Sequence, residues 1–489
     1  MIAHRAESDV PFTGRPTERL KHALRATAVE IKGIDKLSGG AIQENYRLRL
    51  KVEGGPEAGE RDVVLRTDAP SSVQVSHSRE TEFRLLQAAH AAGVTVPRPV
   101  AFSPPALPGD RPFLLMDTVN GTALATKIVR DPIFAAARRG LANRLGKELA
   151  AIHRITPDAA LAAELEERPI DPATALIERY RTALDALYRP SPILEAALRW
   201  LRHHKPPPGD IVLVHRDFRT GNYMLDDTGL TAILDWEFCG WGDRHEDLAW
   251  FCSASWRFGR DDLEAGGIGA RADFFNAYEA ETGFTIDPKT VFFYEVMAGL
   301  RWAIIAMQQC QRLIDGQEQR LELALIGRRT HAIEATVLDL LTQTETVREG
   351  PPDTPPPPAP PMGAHTDAPD TLNLLALAAR EIRSNVAPAL TGDDRYAALM
   401  AASAVEMAGR EILHAAARHE SDLKDIVALL ENIGETAVPD EDPYRKLALA
   451  IRAGRFDGAG NRTALYAVLS AVNDRVRRET VPHTPTSFA

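Results

Sequence analysis

Two short stretches concentrate residue types that can do chemistry: Val214-His215-Arg216-Asp217-Phe218-Arg219-Thr220-Gly221-Asn222 and Leu234-Asp235-Trp236-Glu237. Their pattern is H-x-D-x-x-x-x-N, then an apolar strand, then Asp, with Asp235 thirteen positions after Asn222. Phosphoryl transfer from ATP needs one carboxylate to accept the proton of a hydroxyl, and hard oxygen ligands to hold Mg²⁺ against the phosphates. Asp217 suits the first task; Asn222 and Asp235 suit the second. Each residue alone reads equally well as a turn-former, because Asp and Asn side chains bond nearby backbone in loops. Taken together, with His215 ahead of them and apolar strands flanking the loop, they read as a site.

The elements that must position this loop are legible around it. Ile211 to Val214 and Leu230 to Leu234 are β-branched runs inside a region of otherwise helical period, where Leu141, Leu145, Leu149 and Ile152, and later Phe293, Val296, Met297, Leu300 and Ile304, recur along one face. Residues 33–120 mix strand and turn signals instead. Glu44 to Val52 and Asp62 to Thr67 read as strands joined through Gly54-Gly55-Pro56, and Phe113 to Met116 as another. Ser78 to Ala92 reads as a helix with Phe83, Leu86, Ala89 and His90 on one side, closed by Gly93. Gly39-Gly40 reads alone as a hairpin turn; ahead of a strand pair and the Asp217 loop, it reads as a glycine loop whose amides approach the ATP phosphates.

With those motifs in place, residues 30–345 resemble the aminoglycoside phosphotransferase family of small-molecule kinases, which share the two-lobed protein-kinase-like fold. The resemblance implies an α+β architecture, with a small β-rich N-lobe over 1–120 and a mainly helical C-lobe over 121–345. The family's H-G-D-x-x-x-x-N loop carries a catalytic Asp and a metal-binding Asn, and its later Asp binds the second metal; these are Asp217, Asn222 and Asp235 by position, with Arg216 in place of the Gly. Gly242 to Trp250 resembles the family's G-D-P-x-x-D-L-A segment with Arg244 in place of Pro, which implies that Asp247 is a buried structural acid supporting His215 or the loop. His215 is then an orienting histidine, since Asp217 supplies the base. Val63-Val64-Leu65-Arg66 stands where kinases carry V-A-I-K, so Arg66 is expected on phosphate, with Glu82 rather than Glu80 as its helix partner. Phe113 to Asp117 resembles the strand joining the lobes, with Met116 behind the adenine. The wording G-G-A-I-Q-E-N is similar to a bacterial branch that carries a C-terminal helical extension.

The run from Glu349 to Pro361 holds eight prolines and sustains neither helix nor ladder, so 346–370 reads as an extended linker. Beyond it, 371–489 reads as a separate all-α bundle, with helical period over 371–385, 397–419, 423–432, 444–453 and 462–480; homodimer formation through it, docking on the kinase half and closing over the cleft are its candidate roles. Of 489 residues, 44% are hydrophobic and 26% charged, and the net charge of −11 is the wrong sign for wrapping a phosphate backbone. Three cysteines without C-x-x-C spacing, and no uncharged apolar run of membrane length, set the expectation of a cytoplasmic protein with neither nucleic-acid nor membrane partners.

The leading expectation is an ATP- and Mg²⁺-dependent phosphotransferase acting on a small-molecule hydroxyl, for example a hydroxyacyl thioester. Aminoglycosides and choline-like alcohols are the alternative acceptors, the latter needing an aromatic box from rings such as Tyr294, Trp302, Trp250 and Trp256. Arg66 and Arg216 keep open a different class, a pseudokinase-like module that binds nucleotide and recruits a partner without catalysis.

Overall fold

The computed structural model describes residues 16–37, 43–68, 76–107, 110–187, 189–318, 320–343, 371–435 and 442–480. The strands are β1 (Ala28–Leu37), β2 (Gln43–Glu53), β3 (Gly59–Asp68), β4 (Pro99–Ser103), β5 (Phe113–Asp117), β6 (Ile211–Val214), β7 (Tyr223–Leu225), β8 (Leu230–Ile233) and β9 (Gly240–Asp243). The helices up to β6 are α1 (Pro16–Ala23), α2 (Arg79–Ala91), α3 (Ala125–Arg130), α4 (Ala135–Arg138), α5 (Leu141–His153), α6 (Ala159–Glu164), α7 (Pro172–Asp185) and α8 (Pro192–His203). After it come α9 (Arg244–Cys252), α10 (Arg271–Thr282), α11 (Pro288–Ile314), α12 (Leu321–Arg328), α13 (Thr330–Gln343), α14 (Thr371–Glu381), α15 (Gly392–Asn432), α16 (Pro443–Arg452) and α17 (Ala459–Thr480).

Two compact units divide the chain: Met1–Ala173 with Pro206–Glu295, and Thr174–Lys205 with Val296–Ala489. In the first, β1-β2-β3-β5-β4 form one antiparallel sheet. Strand β2 shows why: Tyr46, Leu48, Leu50 and Val52 are buried while Arg47, Arg49, Lys51 and Glu53 alternate outward. The inward set packs with Leu20 and Leu24, Val63 and Leu65, and Phe113 and Leu115. Each fully buried leucine here contributes roughly 1.5–3 kcal/mol. Phe113 to Met116 are buried without alternation, which fits a strand whose neighbours are paired on both edges.

Helix α2 starts at Ser78, whose side chain accepts a hydrogen bond from Thr81 N at 3.1 Å, and its exit is marked by Gly93 at φ 79°. Its buried stripe runs through Thr81, Glu82, Leu85, Leu86 and Ala89. His90, expected on that side, is exposed, because it falls at the edge of the stripe in the last turn. Lower in the same unit, α5 packs directly on α10. Gly146 permits the approach: a Cβ there would lie 2.4 Å from Phe274 O and 3.0 Å from Ala277 Cβ.

Among the described residues the second unit is all-α. Helix α8 packs on α13 and α16, α13 on α17, and α15 on α14, α16 and α17. Leu194, Leu198 and Leu201 of α8, Val337, Leu338 and Leu341 of α13, and Leu447 and Ile451 of α16 are buried. An ion-pair cluster ties α7, α8 and α16 together: Arg452 donates to Glu195 at 2.7 Å and Asp185 at 2.5 Å, and Arg181 reaches Glu195 at 2.6 Å. Asp422, fully buried, accepts from Arg475 Nε at 2.6 Å and from Tyr444 OH at 3.0 Å.

The units therefore cut the chain elsewhere than at 120, 345 and 370. Helices α8 and α13, assigned by sequence to the C-lobe, supply apolar faces that α16 and α17 cover. The proline-rich stretch lies outside the described residues. The expected helices 397–419 and 423–432 are one helix, α15, because Glu420-Ser421-Asp422 contains no breaker and Asp422 finds its partners without leaving the helix. Helix α11 is long and apolar enough to cross a membrane by length and composition; most of it is buried within the protein, as a core helix is.

Replacing Gly146 by alanine forces the α5–α10 contact apart and is expected to lower unfolding stability by about 1–3 kcal/mol. Urea denaturation checks this; an unchanged midpoint would show that the two backbones do not meet so closely.

Candidate active site

The loop from His215 to Asn222 leaves β6 and enters a hairpin. Tyr223 pairs with Ile233 across β7 and β8, and just beyond that pair Leu234 N donates to Asn222 O at 2.8 Å. The thirteen-residue spacing is thus the length of one hairpin with its flanks, and it sets Asp235 beside Asn222. The hairpin turn is closed by Asp226, whose Oδ1 accepts from Thr228 N at 2.8 Å and Gly229 N at 3.1 Å.

Asp217 is 9% exposed and its carboxylate is held by three donors. Trp250 Nε1 donates to Oδ1 at 3.0 Å, Asn222 Nδ2 donates to Oδ2, and Arg219 Nε lies 3.1 Å and 3.3 Å from the two oxygens. Asn222 Nδ2 also donates to Asp217 O at 3.0 Å, which fixes the amide so that its carbonyl oxygen is the free end. Trp250 comes from α9, whose N-cap is Asp243 accepting from His245 N at 2.8 Å. Arg219 lies over the Trp256 ring at 4.6 Å, and Trp250 and Trp256 pack at 5.1 Å between centroids. Tyr294, named with them as a box candidate, packs on Phe293 and His245.

Beneath the loop lies Asp247, with no exposed surface. Its oxygens accept from His215 N at 2.6 Å, Arg216 N at 2.7 Å and His153 Nε2 at 3.1 Å. Arg216 sits at φ 64°, the left-handed region, which lets two consecutive amides converge on one carboxylate. Its guanidinium is tied to Glu166 at 3.1 Å and to Trp241 O at 3.0 Å. His215 accepts from Asp217 N on Nδ1 at 3.3 Å and donates from Nε2 to Leu234 O at 3.0 Å, joining the loop to the far strand of the hairpin. Burial alone would raise the Asp247 carboxyl; the bond from His153, with the neighbouring histidine and backbone amide, holds it below the ordinary carboxylate value. Burial holds His153 below its usual 6.5 despite Asp247. A neutral imidazole is satisfied there, donating to Asp247 and accepting from Tyr278 OH at 2.7 Å.

On the sheet side, β3 carries Arg66 opposite Asn45 of β2 and Leu114 of β5. Arg66 pairs with Glu82 Oε1 at 3.0 Å through one amino group and with Asp235 Oδ1 through the other. Asp235 sits at φ 70°. Burial would raise its carboxyl, but Arg66 holds it down, while burial and the Asp235 charge push Glu237 up to about 7. Met116 lies nearly buried on β5 between Val64 and Pro99. Asp217, Asn222, Asp235, Arg66, Glu82, His215 and Asp247 thus form one bonded network within the first unit; Gly39 and Gly40 lie outside the described residues. Sequence reading missed Trp250 as a donor to Asp217 and missed Arg79, which pairs with Glu82 and lies 3.5 Å from Glu237. Arg79 stands three residues before Glu82 on α2, and that spacing was the available signal.

A histidine held below its ordinary value makes the unfolded chain the better proton binder, so stability rises with pH through that range. The His153 contribution is complete above about pH 6.5 and is lost as pH falls toward its depressed value; the Asp247 contribution goes at lower pH still. The thermal midpoint should fall between pH 7 and pH 5, and His153→Gln should flatten that slope; a wild-type midpoint that rises on acidification would contradict the buried neutral imidazole.

Comparison with known proteins bears on the family and the fold. The model of the phosphotransferase enzyme family (APH) matches residues 33–284, and a domain of unknown function, DUF6285, matches 388–478. Acyl-CoA dehydrogenase family member 10 of Mus musculus is 26% identical over 327 residues, which are 62% of this chain and 29% of that protein. Family member 11 of Pongo abelii is 25% identical over 209 residues, 40% of this chain and 25% of that protein. The chain therefore spans less than a third of the length of these curated relatives. A crystal structure from Ralstonia eutropha JMP134, of a protein assigned to the aminoglycoside phosphotransferases, shares the fold with a TM-score of 0.52 and 21% identity, over 66% of this chain and 96% of that one. With the family match covering just over half of the sequence, this chain belongs to the phosphotransferase enzyme family and has its protein-kinase-like fold.

Proposed function

We propose that this chain transfers the γ-phosphoryl group of ATP to a hydroxyl of a small molecule, with Asp217 as the base. The observation that carries the reading is the fixed Asp217 carboxylate. An ionised carboxylate offers about four acceptor sites; Trp250 takes one on Oδ1, Asn222 one on Oδ2, and Arg219 divides a single N–H between the two oxygens, so that a site opens to the proton of an incoming hydroxyl when Arg219 settles on one oxygen. The hydroxyl oxygen then bonds to phosphorus, its proton passes to Asp217, and the β–γ bridging oxygen leaves with ADP. Positioning and electrostatics supply most of the acceleration in such a site.

The free carbonyl of Asn222 and the second oxygen of Asp235 are hard donors that fit Mg²⁺, so these two residues would hold it. When bound, the ion supplies neutralisation of phosphate charge. Arg66 is the cation on the phosphates, with Glu82 as its support, Met116 behind the adenine, and Gly39 and Gly40 as the amide-rich loop. Asp247 and His215 hold the loop without touching the reacting atoms.

For the acceptor we favour a hydroxylated acyl thioester or related metabolite, supported by the similarity to two proteins named as acyl-CoA dehydrogenase family members. Arg219 beside the base weighs against a polycationic aminoglycoside, and its position over Trp256 occupies a ring face that a choline-like ammonium would need. The Arg66–Asp235 pair favours one second reading, a nucleotide-binding module in which the arginine keeps the metal carboxylate engaged.

Asp217→Asn is expected to lower kcat by about 10²–10⁴ while nucleotide affinity stays unchanged. The assay is a phosphate-transfer screen over hydroxyacyl thioesters, other hydroxylated metabolites and aminoglycosides. Full turnover by a folded, nucleotide-binding variant would remove Asp217 from its role, whereas tight MgATP binding with no transfer to any acceptor would select the second reading.

A further inference from the structure

Arg79 opens α2 and is 1% exposed, one of the most deeply buried side chains in the protein. We infer that Arg79 is a positioning residue for the phosphate-binding arginine: it occupies the second oxygen of Glu82, and Glu237, so that neither draws Arg66 off Asp235, and Arg66 stays shared between Glu82 and Asp235 and available to the phosphates. The inference rests on the phosphotransferase reading above and extends it to a residue that touches neither ATP nor acceptor.

The two oxygens of Glu82 are divided between two arginines. Arg66 NH1 lies 3.0 Å from Oε1, and Arg79 NH1 takes Oε2. The remaining nitrogens of Arg79 are spread over other partners: NH2 reaches Glu237 Oε2 at 3.5 Å and donates to His77 O at 3.2 Å, and Nε lies 3.0 Å from Asp68 Oδ1. Four carboxylates, Asp68, Glu82, Asp235 and Glu237, thus share two guanidinium groups. Without Arg79, Glu82, Asp235 and Glu237 would have Arg66 as their shared cation. A carboxylate with both oxygens free forms a bidentate pair with arginine, the strongest geometry available to it. Glu82, released on its second oxygen, would take Arg66 in that way and draw it off Asp235.

The arrangement needs the guanidinium fork. A lysine carries the charge but cannot aim rigid donors at Glu82, Glu237 and the His77 carbonyl together. Backbone contact between the same segments does not depend on Arg79, because His77 N donates to Glu237 O at 2.9 Å and His77 Nε2 lies 2.5 Å from Cys239 O. Changing Arg79 should therefore redirect charge more than it moves the chain.

The test uses full-length protein, with binding of a fluorescent ADP analogue in Mg²⁺ and steady-state ATP kinetics as readouts. Arg79→Lys is expected to weaken MgADP binding about tenfold, raising KM for ATP more than it lowers kcat. Adding Glu237→Gln removes one of the competing carboxylates, leaves the introduced ammonium to Glu82, and should bring affinity back to within about threefold of wild type. Arg79→Lys with wild-type affinity and KM overturns the inference, as does a loss of thermal stability alone, which marks a purely structural arginine. If Arg79→Lys does not fold, the double variant decides: recovery of affinity supports the inference and a tenfold or greater deficit overturns it. Wild-type protein that neither binds MgADP nor turns over ATP defeats the phosphotransferase reading itself, a result distinct from normal wild-type behaviour with an indifferent Arg79→Lys.

Discussion

The site depends on one carboxylate with no exposed surface. Asp247 gathers the amides of His215 and Arg216 and the imidazole of His153, and those three donors offset the cost of taking its charge out of water. The geometry requires the backbone to turn left-handed between them. Arg216 accepts that conformation at a cost of order 1 kcal/mol, and its side-chain ties to Glu166 and Trp241 O hold it there. Glycine, which the family pattern carries at this place, takes the same turn without strain. Arginine replaces conformational freedom with anchoring, and the loop that follows starts in a fixed direction.

From that start the loop delivers Asp217 and Asn222, and the β7–β8 hairpin returns the chain to put Asp235 beside them. The sheet contributes the opposite charge. Arg66 crosses from β3 to Asp235, so the N-lobe sheet and the hairpin meet through an ion pair that is mostly shielded from water. Neighbouring carboxylates there cannot all ionise equally: Asp235, next to Arg66, is held down, while Glu237 is pushed up. The order of these two follows from which one the arginine reaches.

Local patterns made much of this legible. The H-x-D-x-x-x-x-N spacing, the apolar runs around it and the alternation along β2 each encode an element through residues close in sequence. The placement of Glu82 against Arg66 came from the resemblance, through the family's E-x-x-x-L spacing, and not from the local pattern. What escaped were contacts between distant segments. Nothing near Trp250 signals that its indole donates to Asp217, and nothing near Arg452 signals Glu195. Arg79 looks like an ordinary charged residue in a first helical turn until its burial is known. The single helix α15 reads as two in the sequence because Ser421 and Asp422 have low helix propensity, which tertiary partners of Asp422 override.

The pairing of α8 with α16 has a consequence for how the chain is made. The apolar face of Pro192–His203 emerges from the ribosome long before Pro443–Arg452 exists to cover it. At about 5–20 residues per second, the interval of 240 residues leaves that face waiting roughly 12–50 s. Nascent chains of this protein therefore carry that uncovered apolar face over the 240 residues that separate the two helices.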